Sequence, residues 1–97
     1  MSLTQAHPPV INPTAEEAYW REAFRREPYY KAELSYEDYS PAFRVGYTGP
    51  LRRHGTFQSL ESELQGDWVQ VKGRSRLSWD EARLAARAAW ERAAQWQ

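Results

Sequence analysis

The chain has no cysteine, only two histidines and one methionine in 97 residues, and its thirteen basic and thirteen acidic side chains cancel. Without cysteine there is no disulfide framework, no thiolate metal ligand and no cysteine nucleophile. His7 and His54 are too few for a dedicated metal cage, so neither a metal nor a cofactor is expected. A net charge of zero gives no overall field drawing the protein to nucleic acid or to an anionic membrane. No stretch approaches the ~18 consecutive apolar residues of a membrane span, and the opening MSLTQAHPPVINP has no basic region followed by an apolar run. These absences predict a cytoplasmic protein, neither secreted nor membrane-spanning.

Motifs of common chemistry are missing too. There is no GxGxxG, no GxxxxGK[ST] and no calcium-binding EF-hand loop. Glycosidic or acid–base work wants two carboxylates facing each other with separated pKa values. Glu61 and Glu63 sit two apart on a predicted helix and point to different sides. Glu16, Glu17, Glu37, Asp38, Asp80 and Glu81 fall in predicted first turns, where acids complement the helix dipole. His54 lies in a loop beside Arg52, Arg53 and Gly55, with no serine–histidine–acid pattern around it. No catalytic residue is assigned, and the chain is expected not to be an enzyme.

What is present is ordinary globular material: 41% hydrophobic and 27% charged residues, in a length that suits one domain and one core. Aromatics are plentiful, with five Trp and six Tyr against three Phe, so much of the core must be built from rings with a polar handle. Residues 1–13, with Pro8, Pro9 and Pro13, read as an arm, and 14–97 as the single domain.

Helix signals follow in order. Thr14-Ala-Glu-Glu17 is a capping-box pattern that predicts a helix from Ala15 to about Arg26, stopped by Pro28, with Tyr19, Trp20, Ala23 and Phe24 on its apolar stripe. The segment 28–34 has no period and reads as a connection. Ser35 caps a second helical segment in which Tyr36, Tyr39, Phe43 and Tyr47 recur on one side. Ser40-Pro41 repeats the start signal, which fits either a break or a kink. Gly46 and Gly49-Pro50 are expected to end the run near Tyr47.

Thr56 opens the clearest amphipathic pattern, Phe57, Leu60, Leu64, Trp68 and Val71, ended by Gly73. Gly66 inside it marks either a close helix approach or a tolerated exposed position. Ser78-Trp-Asp-Glu81 is another capping box, leading into an alanine-rich terminal helix from Trp79 to about Ala94 whose stripe is Trp79, Ala82, Ala86, Ala89, Trp90 and Ala93. Nothing reads as a strand. The fold class is therefore all-α, a bundle of about four helices with an aromatic-rich core and a C-terminal helical hairpin through the loop 74–77. The expected core is Trp20, Phe24, Tyr39, Phe43, Leu60, Leu64, Trp68, Leu77, Trp79, Ala86 and Trp90.

Two surfaces are candidates for binding. The tyrosines exceed what a dry core holds comfortably, and Tyr and Arg are enriched at the energetic centres of protein interfaces. Tyr29, Tyr30, Tyr36, Arg44 and Tyr47 are thus candidates for contact with a protein partner or a second copy. The alternative is a nucleic-acid accessory role through Arg52, Arg53, Lys72, Arg74 and Arg76. Those two basic clusters flank opposite ends of the third helix, roughly 22 Å apart at 1.5 Å per residue, and the charge balance argues against this alternative.

The chain also resembles a family of short uncharacterised bacterial proteins, some associated with general stress-response proteins. The resemblance lies in Tyr19-Trp20-Arg21-Glu22, Pro28-Tyr29, Tyr36-x-x-Tyr39 with Pro41-Ala42-Phe43-Arg44 and Gly46, Trp68, Gly73-x-Ser75-x-Leu77-x-Trp79, and Ala89-Trp90. It spans most of 19–92, omits the arm, and is weakest over the loop 47–54. It implies a small bacterial cytoplasmic protein linked to stress, and no activity. The leading expectation is a non-enzymatic protein-interaction or self-association module.

Overall fold

The computed structural model describes residues 11–95. They form α1 (Pro13–Ala23), continued by a 3-10 turn (Phe24–Arg26), then α2 (Tyr36–Arg52), α3 (Phe57–Val71) and α4 (Trp79–Ala94). No strand occurs among the described residues. The architecture is the expected all-α bundle of four helices around an aromatic core.

All four helix starts are set by side chains that satisfy orphan N–H groups, three of them at the expected caps. The Asp38 carboxylate accepts from the Ser35 N–H at 3.1 Å, Thr56 Oγ1 from the Ser59 N–H at 3.0 Å, and Ser78 Oγ from the Glu81 N–H at 3.3 Å. The first helix departs from the sequence reading. Asn12, not Thr14, is its cap: the Asn12 side chain accepts from the N–H groups of Thr14 and Ala15, and Pro13 takes the first helical position, where a missing N–H costs nothing. Ile11 is 3% exposed and packs in the core. The domain therefore includes 11–13, and the rest of the expected arm, 1–10, lies outside the described residues.

α2 is the spine of the bundle and packs on each of the other helices. It runs on through Gly46, Gly49 and Pro50, which were expected to end it. Locally this is a poor helix: interior glycines cost about 1 kcal/mol each, and Pro41 and Pro50 forfeit backbone bonds. Burial of Tyr36, Tyr39, Ala42, Phe43, Val45 and Tyr47 offsets those costs, so packing rather than propensity holds the helix.

The two glycines also explain how α4 lies so near. A Cβ on Gly46 would sit 2.1 Å from the Ala86 carbonyl oxygen and 2.7 Å from the Ala89 Cβ, and one on Gly49 would sit 2.3 Å from the Trp90 ring. Facing them, Ala82, Ala85, Ala86, Ala89 and Ala93 are all fully buried. Small residues on both helices allow near-backbone contact. Gly66, by contrast, has nothing within 4 Å of its missing Cβ and lies on the exposed side.

α1 runs antiparallel to α2: Trp20 stacks on Phe43 at 4.6 Å between centroids, and Phe24 meets Tyr36 and Tyr39 further along. α3 and α4 form the expected antiparallel hairpin, with Phe57 against Trp90, Glu61 paired to Arg83, and Trp68 against Trp79. Of the expected core, Leu60 and Trp79 are only partly buried; the Trp79 indole N–H reaches outward to Glu61 at 3.2 Å.

The loop between α3 and α4 is locked to the start of α2. Asp38 accepts from the Arg76 guanidinium at 2.7 Å and from the Arg76 backbone N–H at 2.9 Å, while Ser75 Oγ donates to the Asp38 carbonyl at 2.5 Å. The Arg76 guanidinium holds the Asp38 carboxyl well below the usual carboxylate range, against the opposing effect of burial.

Candidate functional site

The aperiodic segment after α1 makes a wall that the sequence alone did not place. Its turns close through Tyr30 N–H to the Glu27 carbonyl and Leu34 N–H to the Lys31 carbonyl, both at 3.0 Å. Tyr39, 1% exposed, pins it from below: the phenol oxygen accepts from the Lys31 N–H at 3.0 Å and its hydrogen is directed at the Tyr29 carbonyl, 3.4 Å away. Lys31 then reaches over to pair with Glu81 on α4. That ion pair, with the Ser78 N–H, lowers the Glu81 carboxyl to about 2.

Between this wall and α4 lie two cavities of about 260 and 370 Å³ that share Pro28, Tyr29 and Leu84. Together they form one open groove along α4 from Asp80 to Glu91, about 16 Å long at 1.5 Å per residue. Its floor is apolar, with Leu77, Tyr39 and Ala88, and charged side chains stand at the rim. Leu84 is 45% exposed, one of few large apolar side chains left to solvent. The Tyr29 hydroxyl is buried beside the groove; burial first, then the charge of Glu27, pushes its pKa up.

The tyrosine candidates thus divide. Tyr29 and Tyr30 line the groove. Tyr36 and Tyr47, 7% and 4% exposed, are core residues and offer a partner almost no area; the Tyr36 hydroxyl donates to the Glu17 carbonyl at 3.3 Å. Arg44 is exposed on another face, where with Val45, Thr48, Arg52, Gln70 and Val71 it lines a cavity of about 290 Å³ between α2 and α3.

The basic candidates do not gather. Arg53 makes a two-pronged pair with Asp67 at 2.9 to 3.1 Å, Arg76 is bound to Asp38, and Lys72 lies over the Trp68 ring at 5.4 Å. Arg52 and Arg74 are exposed. Because Arg76 is tied to Asp38 at the start of α2 and Arg52 lies near its end, the two clusters stand about 21 Å apart along that helix.

Leu84 is the groove residue the sequence reading passed over. Its signal was there: it is the one leucine of α4 and lies off the alanine–tryptophan stripe. Among the described residues no group of three or more histidine, aspartate or glutamate side chains is placed to hold a metal ion, and no helix is long and apolar enough to cross a membrane. No protein-family model, curated protein or solved structure matches the chain.

Proposed function

We propose that this protein is a non-enzymatic interaction module of the cytoplasm that takes an amphipathic helix of a protein partner into the groove between residues 28–31 and α4. The observation that carries the reading is Leu84: an exposed apolar side chain at the junction of two cavities, opposite Tyr29, on a rigid helix. The groove is about three helical turns long, the usual span over which a docked helix presents anchors at i, i+3 or i+4 and i+7. The carboxylates support the non-enzymatic part: Glu16, Asp38, Glu61, Asp67 and Glu81 are each committed to an ion pair that ties elements together. The resemblance to bacterial stress-associated proteins supports the cytoplasmic setting.

The test is photo-cross-linking in cells from a benzoylphenylalanine placed at Leu84, with the same probe at exposed Gln65 as control. An adduct formed from position 84 and not from 65 is expected. An adduct of twice the chain mass would identify the partner as a second copy. Adducts identical from both positions, or none from 84, would sink the reading.

A further inference from the structure

The groove between α2 and α3 differs from the first in charge. Arg44 and Arg52 lie on one face of α2, eight residues and so about 12 Å apart, with Thr48 between them. Among the described residues neither guanidinium is in an ion pair, and that of Arg44 bonds only the neutral Tyr47 hydroxyl. The Asp67 carboxylate on the opposite wall is already taken up by Arg53. Between the arginines the floor is Val45, 5% exposed, and across from it Val71 is 41% exposed.

Arg21, Lys31, Arg53, Arg76, Arg83, Arg87 and Arg92 each have a carboxylate partner. Arg25, Arg26, Lys72 and Arg74 likewise have no ion pair among the described residues, but Arg44 and Arg52 flank an apolar strip within one cavity. Arginine presents a planar fork that matches a carboxylate, and its stem leaves the strip open to an apolar side chain.

We infer that this second groove docks an acidic amphipathic segment of a partner protein, with two carboxylates about two helical turns apart meeting Arg44 and Arg52 and an apolar residue between them on Val45 and Val71. Charge complementarity selects this occupant. A nucleic-acid strand would want a longer track of cations than two, and would meet the valines with no base-stacking ring among the residues lining the groove. The inference is independent of the Leu84 groove, since no residue is shared.

The experiment is phage selection of random peptides of about 12 residues, three to four turns of helix, on the immobilised full chain. Selected peptides are expected to carry paired acids around an apolar residue, and a synthetic peptide of that consensus should lose about tenfold or more in affinity against Arg44→Gln/Arg52→Gln. Selection on Arg44→Glu/Arg52→Glu should turn the consensus basic. Both positions are exposed, and circular dichroism melting checks that each variant folds. A neutral or basic consensus on the native chain, a consensus unmoved by charge reversal, no selected peptides, or tighter retention of a single-stranded oligonucleotide than of the acidic peptide would overturn it.

Discussion

A methyl group on Gly46 would lie 2.1 Å from the carbonyl oxygen of Ala86. The obstacle is backbone, which cannot rotate away, so α2 and α4 would have to separate. Gly46→Ala should therefore destabilise by about 3 kcal/mol, lowering the melting temperature by about 12 °C or more, although alanine is the better helix former. Gly66→Ala, with open space around it, should stabilise by about 0.5 to 1 kcal/mol. Thermal melts of the two variants check the pair; equal effects would refute the packing account.

Asp38 makes stability depend on acid. Its pKa is lowered by Arg76 on folding, so its contribution is present above the unfolded carboxyl value of about 3.9 and is lost as pH falls toward the folded value. Arg76 is 61% exposed, which screens the pair, so the loss between about pH 4 and pH 2 should be about 1 to 2 kcal/mol. Urea titrations over that range should show the decline in the native chain and a flatter profile in Asp38→Asn, which starts from lower stability.

Glu16, 5% exposed, pairs at 3.2 Å with Arg92, whose guanidinium also stacks 3.6 Å above the Tyr19 ring. Removing only the cation strands a buried carboxylate. Arg92→Met should cost about 3 kcal/mol, and Glu16→Met/Arg92→Met should recover at least half of it. Denaturant unfolding of the single and double variants measures this.

Leu84→Asp should cost no more than about 1 kcal/mol, because the side chain is 45% exposed and the remaining loss is mainly helix propensity. In the same variant a cross-linking probe at Ala88, next along the groove, should lose its partner adduct. Retention of the adduct with unchanged melting would separate Leu84 from binding.

Much of this fold can be read from local signals, and most of the failures have one cause. The caps at Ser35, Thr56 and Ser78 are chemistry within four residues, and the stripes that place Trp20, Phe43, Leu64 and Trp90 in the core are periodicity within one helix. Gly46 and Gly49 are different: a glycine needed for a turn and a glycine needed for a close neighbour look alike, and the neighbour is some forty residues away in Ala86 and Trp90. The same holds for Tyr36 and Tyr47, whose burial depends on which side α1 covers. The Leu84 groove needed a segment without period, 28–31, to be fixed by Tyr39 before it had a second wall.

The glycine contact has a mechanical meaning. α4 carries one wall of the Leu84 groove and α2 carries one wall of the Arg44–Arg52 groove, and these two helices meet at near-backbone distance where Gly46 faces Ala86 and Ala89. Their spacing has almost no slack. On the proposed reading of the two grooves the domain acts as a ruler: whatever binds in them is held at a set distance and bearing, and the information it conveys is geometric.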